Sequence, residues 1–443
     1  MNRYLIYFLF FLVASCSFDT RSGIWTENKS ILSQKENIQI LFEKEDVKHK
    51  EFNSDLKISL QDLSENDIYE INLTNNNGIN FFKKEIKDIS KFKFSKIENF
   101  EFFEPELVLD EDGFVFFDDK GNIIKFNQSS EISWKTNVYN KTERKLKPKI
   151  TLSNTQDYLV AFDNISKFYT LNYVTGEVLW VKSIRNPINS QVKIYDDKIY
   201  TVDLNNILRA YSLKDGEELW RYGSGNNFLK SNKRNSIAIF NDIIYFNNSL
   251  GDVSAVDSKN GNLLWQTPTQ SSRILENAFS LVSSDLVIGN SEIIFSNNRN
   301  EFFSLNLNNG SINWKQNINS VVKPVLYRDL IFTISDDGYF FVVEKNSGNI
   351  LRITKVLNQK IQKIKKKIPN LLKINSGDNS PVGITVGKDK TFLTTNNGKL
   401  IIINTTTGKV ISSINIDRNK ISKPFVFKDS LFVVKDNSII KLN

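Results

Sequence analysis

The chain has 443 residues, and 58 Lys and Arg against 50 Asp and Glu give it a net charge of +8. It contains one His, one Cys and, apart from the initiator, no Met. The His, His49, lies in the charged stretch Lys48-His49-Lys50, which predicts a solvated position. These counts argue against a His-rich zinc site, a Ser-His-Asp triad and a Cys-His pair. No Gly-rich phosphate loop is present either, so we expect no cofactor and no enzymatic activity, although enzymes that use only carboxylates stay open.

The N-terminal residues have the pattern of a secretory signal. Met1-Asn2-Arg3 is short and positively charged, and residues 4–13 are almost wholly apolar but too few to span a bilayer. The small residues Ala14 and Ser15 then precede Cys16, the chain's one cysteine, as in the lipobox of bacterial lipoproteins. We therefore predict a signal peptide over residues 1–15 and lipidation of Cys16; an ordinary signal peptide with a buried Cys is the alternative. A secreted lipoprotein makes nucleic acid an unexpected partner.

Residues 16–75 lack the pattern found in the rest of the chain. They are polar, with apolar patches at residues 38–42 and 56–60. The default interpretation is a tether between the lipid and a folded domain over residues 76–443. A helix or strand that docks on that domain, and a partner-binding role, are the alternatives.

The body of the chain is a repeat in which a strand-like run, a polar turn ending in Gly, and a second run with Trp four residues after the Gly recur. The full copies are Gly176 to Trp180, Gly216 to Trp220, Gly261 to Trp265 and Gly310 to Trp314. Degenerate copies run from Gly348 to Arg352 and from Gly408 to Ser412, and an earlier one from Ser130 to Trp134. The Trp positions are about 46 residues apart on average, near the period of four-stranded propeller blades.

Each part of the repeat has a physical reason. Alternation of apolar and polar residues predicts strands with one buried face. Asp or Asn before Gly, as in Asp215-Gly216, favours a tight turn because such residues tolerate positive φ. A Trp at a fixed offset offers a large apolar area to a neighbouring unit, so the units must stack.

The two ends of the chain suggest how the ring closes. Residues 423–427, 431–434 and 439–442 read as three strands with no fourth. Residues 78–86 read as a Gly-plus-four outer strand with Phe82 in the Trp position, and could be the missing fourth strand. We therefore predict an all-β fold, an eight-bladed β-propeller of four-stranded antiparallel blades closed by pairing of N- and C-terminal strands. Seven blades is the alternative count.

These motifs resemble the quinoprotein-like propeller repeat, Asp-x-x-Thr-Gly-x-x-x-Trp. Within that group the chain resembles the family of lipoprotein subunits of the outer-membrane β-barrel assembly machinery, through the lipobox, the strand near Phe82, and residues 105–134, 251–256 and 423–442. The resemblance implies a non-enzymatic scaffold, lipid-anchored to the periplasmic face of the outer membrane. Its implied partners are the periplasmic domains of the barrel insertase and unfolded outer-membrane proteins. Ser17, after the lipidated Cys, is not the Asp that would imply retention in the inner membrane.

The same resemblance implies a partner-binding loop between two blades, with a Leu-Arg element. The nearest stretch is Phe228-Leu229-Lys230, with Lys in place of Arg, so Leu229 and Lys230 are the candidate contact residues. The family's nearby acidic pair would fall at residues 280–282, where this chain has no acid. The alternative for Leu229 is a loop residue that packs on its own blade.

Two other functions share the predicted fold. A pyrroloquinoline-quinone-dependent dehydrogenase needs a calcium site, a catalytic Asp and usually a vicinal Cys pair, and this chain has no second Cys. A propeller lipoprotein that binds glycan or another ligand needs a pocket lined with aromatic rings at the propeller's mouth. Residues 355–381 add a lysine-rich insertion to one repeat; it is either a basic loop that contacts lipid or an acidic partner, or a solvated insertion.

Overall fold

The fold is an eight-bladed β-propeller. The computed structural model describes residues 49–62, 74–129, 131–223, 233–269, 281–357 and 379–443. These residues form eight four-stranded antiparallel sheets, and the first strands of neighbouring sheets approach one another around a common axis. The predicted fold class and blade count are confirmed, and the count of seven is wrong.

Strand β1 (Ile89–Lys93) comes before the first complete blade in the chain. Blades 1 to 4 then contain β2 (Val108–Leu109), β3 (Gly113–Phe117), β4 (Ile123–Asn127) and β5 (Ile132–Thr136); β6 (Ile150–Asn154), β7 (Tyr158–Asp163), β8 (Lys167–Asn172) and β9 (Val178–Ser183); β10 (Lys193–Tyr195), β11 (Lys198–Val202), β12 (Ile207–Ser212) and β13 (Glu218–Gly223); and β14 (Ile237–Phe240), β15 (Ile243–Asn247), β16 (Val253–Asp257) and β17 (Leu263–Thr267).

Blades 5 to 8 continue in the same order. They contain β18 (Val287–Ile288), β19 (Glu292–Asn297), β20 (Glu301–Asn306) and β21 (Ile312–Gln316); β22 (Val325–Tyr327), β23 (Leu330–Ile334), β24 (Tyr339–Glu344) and β25 (Ile350–Lys355); β26 (Pro381–Val386), β27 (Lys390–Thr395), β28 (Lys399–Asn404) and β29 (Val410–Asn415); and β30 (Phe425–Phe427), β31 (Ser430–Lys435) and β32 (Ser438–Leu442), with β1 as the outermost strand of blade 8. A 3-10 turn (Phe100–Phe102) and one short helix, α1 (Lys141–Lys145), complete the regular elements of the described residues.

The two faces of the ring carry different loops. Because the strands of a blade alternate in direction, every connection from an outermost strand to the next innermost strand lies on one face, together with the turns between second and third strands. We call this the connection face. The turns between first and second strands and between third and fourth strands lie on the opposite, turn face.

The repeated Trp and Gly residues lock each blade to the next. The indole of Trp180, on β9, donates to the carbonyl of Leu213 at 3.2 Å, and a Cβ on Gly216 would lie 2.7 Å from its ring. Trp134, Trp220, Trp265 and Trp314 repeat this arrangement against Gly176, Gly261, Gly310 and Gly348. Ser130 lies outside the described residues. The repeat therefore marks the contacts between blades.

The turn geometry differs in one detail from the sequence argument. Gly216 itself has positive φ, 70°, and Gly261 has φ 76°, whereas Asp215 and Asn260 before them are not among the residues with positive φ. The N–H of Gly216 donates to the carbonyl of Ser212 at 2.8 Å, which closes the turn. Glycine is required at this position for two reasons. Its φ is positive, and the indole packed over it leaves no room for a Cβ.

The hydrophobic core is divided into layers between adjacent blades. Tyr200 of blade 3, for example, packs with Phe246 of blade 4, and Phe302 of blade 5 packs with Ile331 of blade 6. Each blade thus buries its two faces against two neighbours. Stability therefore depends on an unbroken ring.

The ring closes through the termini, but through a different strand from the one predicted. Strand β1 pairs antiparallel with β32, from Ile89 opposite Leu442 to Lys93 opposite Ser438. Pairing of N- and C-terminal strands is thus confirmed, whereas the proposal that residues 78–86 form the closing strand is wrong. Phe82 does not take a Trp position; it is buried against Phe392 of blade 7, with ring centroids 5.2 Å apart.

Residues 75–80 instead enter the central axis. The Asn76 amide donates to the carbonyls of Ile237 and Leu286, at 2.9 and 3.0 Å, and accepts from Lys193 Nζ at 2.7 Å. Asn77 donates to the carbonyl of Leu326 at 2.8 Å, and Ile79 forms a parallel bridge with Val386. We call residues 75–80 the axial plug, since they bond to the inner strands of blades 3 to 7.

Residues 49–62, within the segment predicted to be a tether or a docking segment, lie along blades 6 and 7. Phe52 and Ile353 of β25 exchange backbone hydrogen bonds of 3.1 and 2.8 Å. His49 is not solvated as predicted: its side chain is 6% exposed and its two ring nitrogens face Asp337 and the carbonyl of Asn317. The ring of Phe341 packs against it, which explains the burial.

Arg352 explains why this segment lies on this blade. It occupies the Trp position of blade 6 and is fully buried, and burial lowers its pKa to about 10. Its guanidinium donates to the carbonyls of Thr405 and Thr406 in blade 7, and also to the carbonyl of Leu56 at 2.8 Å. A Trp at this position would have a single N–H to donate. The segment therefore supplies an acceptor for a donor that a Trp would not have.

Two substitutions of Arg352 separate these roles. Arg352→Ala removes the guanidinium donors to the carbonyls of Leu56, Thr405 and Thr406 and opens a cavity, so we expect the free energy of unfolding to fall by about 2–4 kcal/mol. Arg352→Trp restores the aromatic packing against Gly408 and should lose less, but it too removes the bond to Leu56. In both variants the amides of Phe52 and Ile58 should exchange hydrogen faster, as mass spectrometry would show. Unchanged exchange in both would mean that Arg352 does not hold the segment.

Candidate protein-binding surface

The predicted contact residues belong to the connection from blade 3 to blade 4. Leu229 and Lys230 lie outside the described residues, as does Cys16. The connection leaves β13 at Gly223 and is described again from Lys233, and both of these ends lie on the connection face. The connection from blade 4 to blade 5 follows on the same face. At the predicted place of the family's acidic pair it has Leu281 and Val282, which are not acidic.

A polar pocket lies at the foot of these two connections. It is lined by Lys233, Arg234 and Asn235 of the first connection, by Leu281 and Ser283 of the second, and by Asn247, Asn248 and Ser249 between them. None of these residues is aromatic, so this pocket lacks the stacking platform that glycan binding was expected to need. Its donors and acceptors come from Lys233, Arg234, two serines and three asparagines, so the pocket is polar.

A buried ion cluster fixes the foot of both connections. Arg234 bonds to Glu106, which precedes β2, and its guanidinium lies 4.0 Å from Asp285 of the second connection. Lys423, which precedes β30, bonds to the same Glu106 oxygen at 3.0 Å. Glu104 lies 3.6 Å from Arg234. The cluster thus joins the entry points of blades 1, 4, 5 and 8.

The charges of this cluster hold one another ionised. Burial would raise the pKa of the Glu106 carboxyl, but Arg234 and Lys423 outweigh burial and hold that pKa well below its usual range. The pKa of Asp285 is lowered in the same way, against burial, chiefly by Arg234. Such a pair of buried carboxylates around one guanidinium is rigid because each lost partner would leave a buried charge unpaired. The base of the two connections is therefore a fixed platform.

Sequence reasoning missed this cluster, although a signal was present. Glu106, Asp285, Lys323 and Lys423 each stand two residues before an innermost strand. That offset places them at the same height around the axis. The sequence alone shows them as isolated charges.

Within the described ranges, no three His, Cys, Asp or Glu side chains come together as a metal site. Among the same residues, no helix has the length and apolar character needed to cross a membrane. The lysine-rich part of the insertion, residues 358–378, belongs to the connection from blade 6 to blade 7 and lies outside the described residues.

The eight four-stranded blades and the Gly–Trp lock define a propeller of the quinoprotein-repeat class. The family described as outer membrane protein assembly factor BamB matches residues 119–354, and the chain belongs to this family. Outer membrane protein assembly factor BamB of Shewanella oneidensis is 24% identical over 268 residues, which are 59% of this chain and 62% of that protein. The match thus spans less than two thirds of this relative's length.

Solved structures agree on the fold. The crystal structure of BamB from Moraxella catarrhalis superposes with a TM-score of 0.62 at 13% identity, over 80% of this chain and all of that one. A europium-containing methanol dehydrogenase superposes with a TM-score of 0.59 at 9% identity, over 80% of this chain and 85% of that one. The fold therefore occurs in an assembly factor and in an enzyme, and does not by itself distinguish them.

Proposed function

We propose that this protein is a non-enzymatic assembly factor for outer-membrane proteins, held at the periplasmic face of the outer membrane by a lipid on Cys16. Family membership supports the role in assembly. The signal-like N-terminus and the single, well-placed cysteine support the anchor. In this proposal residues 1–15 are removed, residues 16–75 connect the lipid to the ring, and residues 76–443 form the propeller.

The axial plug is the observation that favours a scaffold over a quinone-dependent dehydrogenase. Asn75, Asn76 and Asn77 are all less than 10% exposed, and they use the inner-strand carbonyls of blades 4, 5 and 6. A cofactor bound at that level of the axis would have to displace the chain's own residues. Cofactor absorbance and calcium dependence test this alternative directly.

We propose that the connection from blade 3 to blade 4 contacts the periplasmic domains of a barrel insertase, with Leu229 and Lys230 as contact residues. The support is the buried ion cluster around Arg234, which fixes the end of this connection. A loop whose ends are already ordered loses less conformational entropy when it binds a partner. Lys233 adds to it by donating to the carbonyl of Val321 at 2.9 Å. An apolar Leu beside a Lys also suits an interface that has both an anchor and a charged rim.

Unfolded outer-membrane proteins are a second proposed class of partner, at the rim of the ring. The outermost strands present exposed apolar residues, such as Leu179 of β9 at 47% and Leu264 of β17 at 51%, beside a strand edge with which no other described strand pairs. An extended client segment could add to such an edge by β-augmentation. Residues 49–62 already use the edge of blade 6 in this way, through the Phe52–Ile353 bridge.

The test of the insertase proposal is recovery of partners from gently solubilised membranes. The double variant Leu229→Ala/Lys230→Ala should lose about tenfold or more of the recovered insertase if the Leu is a central anchor. The chain offers a matched control in Lys145→Ala/Leu146→Ala. This Lys-Leu pair is also on the connection face, between blades 1 and 2, and its Leu is 60% exposed.

The outcomes separate the role from the site. Loss in the first variant alone supports both, and recovery unchanged in both variants keeps the role but moves the contact elsewhere. If the wild-type protein recovers no insertase under conditions that preserve other membrane complexes, the assembly role is wrong and a ligand-binding propeller becomes the leading account.

A further inference from the structure

Residues 49–53 are the first described residues of the chain and lie on blade 6, and we call them the edge residues. Their first member, His49, is the one histidine of the chain, and its side chain is 6% exposed. Phe52 exchanges two backbone hydrogen bonds with Ile353 of the outermost strand β25. A buried titratable side chain therefore lies three residues from the pairing that covers the edge of blade 6.

Both ring nitrogens of His49 face acceptors. Nδ1 lies 3.2 and 3.4 Å from the two carboxylate oxygens of Asp337, and Nε2 lies 3.3 Å from the backbone carbonyl oxygen of Asn317. A neutral imidazole has one N–H, so it can donate to one of these partners and turns a bare nitrogen toward the other. The imidazolium donates to both partners, so the surroundings of the ring fit its protonated form better than its neutral form.

Asp337 is held in its ionised form, which only accepts. Burial would raise the pKa of its carboxyl, but hydrogen bonds from His49 and from the Ser335 hydroxyl outweigh burial and lower that pKa. On the other side, the rings of Phe341 and Tyr339 pack edge-on against the imidazole, with centroids 4.9 and 6.2 Å away. These rings shield the imidazole from water, so a bare nitrogen there would have little solvent to bond with.

Further titratable groups surround the imidazole. Lys50, on the same segment, is exposed, and Glu51 accepts from the backbone N–H of Lys355, on β25, at 3.0 Å. Lys355 Nζ donates to the backbone carbonyl of Asp337 and lies 3.9 Å from the ring centroid of Tyr339, on β24. Glu51 and Lys355 thus bond to the backbone and not to the imidazole.

Two more charged groups belong to the elements that supply the acceptors. Asp336 is in the turn between β23 and β24, and burial raises its pKa to about 6, with Lys233 acting against burial. Lys315 is on β21, two residues before Asn317, and pairs with Glu301 at 2.8 Å. Asp336 is therefore the nearby group whose titration has to be separated from that of the imidazole.

We propose that protonation of His49 fastens the edge residues to the ring, and that loss of this proton releases them and uncovers β25. The imidazolium joins Asn317 of blade 5 to Asp337 of blade 6, whereas the neutral ring loses one of the two bonds. The stability that these contacts contribute is present at acidic pH and is lost as the pH rises. Release leaves the backbone N–H and C=O of Ile353 without Phe52, so an extended segment of another chain could pair there. The coupling itself does not depend on the function proposed above.

Hydrogen exchange of the full-length protein in detergent tests the coupling at pH 5.5 and pH 8, which bracket the range in which histidine ordinarily titrates. Each measured rate is divided by the chemical exchange rate of the same peptide at that pH. We expect the amides of Phe52 and Ile353 to open about tenfold more often at pH 8, the scale of one lost charge-assisted hydrogen bond. The internal control is the amide of Gly216, which donates to the carbonyl of Ser212 at 2.8 Å in blade 3 and should not change.

Three variants separate His49 from its neighbours. His49→Gln carries no charge at any pH, so the amide of Phe52 should open at the same high rate at both pH values. Asp337→Asn provides an amide that donates to the bare nitrogen of the neutral imidazole, so the pH effect should fall below about twofold. Asp336→Asn is the matched control, since it removes the adjacent group that titrates in this range, and it should keep the full effect of about tenfold.

The wild-type measurement decides the proposal even if a variant does not fold. Equal opening of the Phe52 amide at the two pH values would overturn it. A pH effect that stays at about tenfold in His49→Gln or in Asp337→Asn would also overturn it, and so would one that disappears in Asp336→Asn, because the proton would then belong to another group.

Discussion

We expect Trp314→Ala to lower the free energy of unfolding by about 3–5 kcal/mol, the range for loss of a large buried aromatic side chain. Trp314 is 9% exposed and packs against Phe302 with ring centroids 5.6 Å apart. Its indole also donates to the carbonyl of Lys345 in blade 6 at 2.7 Å. Its loss therefore weakens the layer between blades 5 and 6. The midpoint of urea unfolding, followed by circular dichroism, measures the change.

Two further variants serve as comparisons for Trp314→Ala. Trp314→Phe keeps a ring over Gly348 but loses the indole hydrogen bond, so it should fall between wild type and Trp314→Ala. Leu264→Ala removes an apolar side chain that is 51% exposed on β17 and should change stability by less than about 0.5 kcal/mol. Similar losses for Leu264→Ala and Trp314→Ala would contradict the view that the layers between blades hold the ring together.

The sequence predicts the blades well because each blade encodes itself locally. Gly176 and Trp180 lie four residues apart, and the strand that continues from them is read from alternation alone. A local signal of this kind survives even where one member is lost, as at Arg352 and Ser412, since the flanking strands keep their pattern. The blade count could therefore be reached from sequence.

Contacts that join distant parts of the chain left no such signal. Residues 78–86 imitate a Gly-plus-four strand, yet Asn76 and Asn77 just before them find partners at Leu286 and Leu326, more than 200 residues away. These partners lie around the axis, where carbonyls from several blades converge and accept hydrogen bonds from the Asn amides. Once the plug is bound there, the chain reaches blade 8 later, at β1.

The proposed binding surface likewise has one part that the sequence predicts and one part that it does not. The connection that carries Leu229 could be placed between blades 3 and 4 from the repeat alone. The ion cluster beneath it could not, because Glu106 and Arg234 are 128 residues apart and only the closed ring brings them together. Ring closure is thus a condition for the proposed binding surface as well as for stability.

Phe92→Ala tests that closure, and we expect it to lower the free energy of unfolding by about 3–5 kcal/mol. Phe92 lies on β1 of blade 8, is 1% exposed, and packs edge-on against Phe114 and Phe126 of blade 1 with centroid distances of 4.5 and 5.9 Å. Phe92 therefore holds β1 in blade 8 and also forms part of the apolar layer between blades 8 and 1. Ile89→Ala, on the same strand at 59% exposure, is the control and should be nearly neutral.

Hydrogen exchange locates the weakness. If the ring opens at this seam, the amides of β1 and β32 should lose protection in Phe92→Ala before those of β19 or β23, whereas Trp314→Ala should expose the seam between blades 5 and 6 first. Opening at blade 8 would also separate Lys423 from Glu106. If Phe92→Ala lost global stability while the amides of β1 and β32 kept their protection, the ring would not open where β1 pairs with β32. That result would contradict ring closure through the two termini.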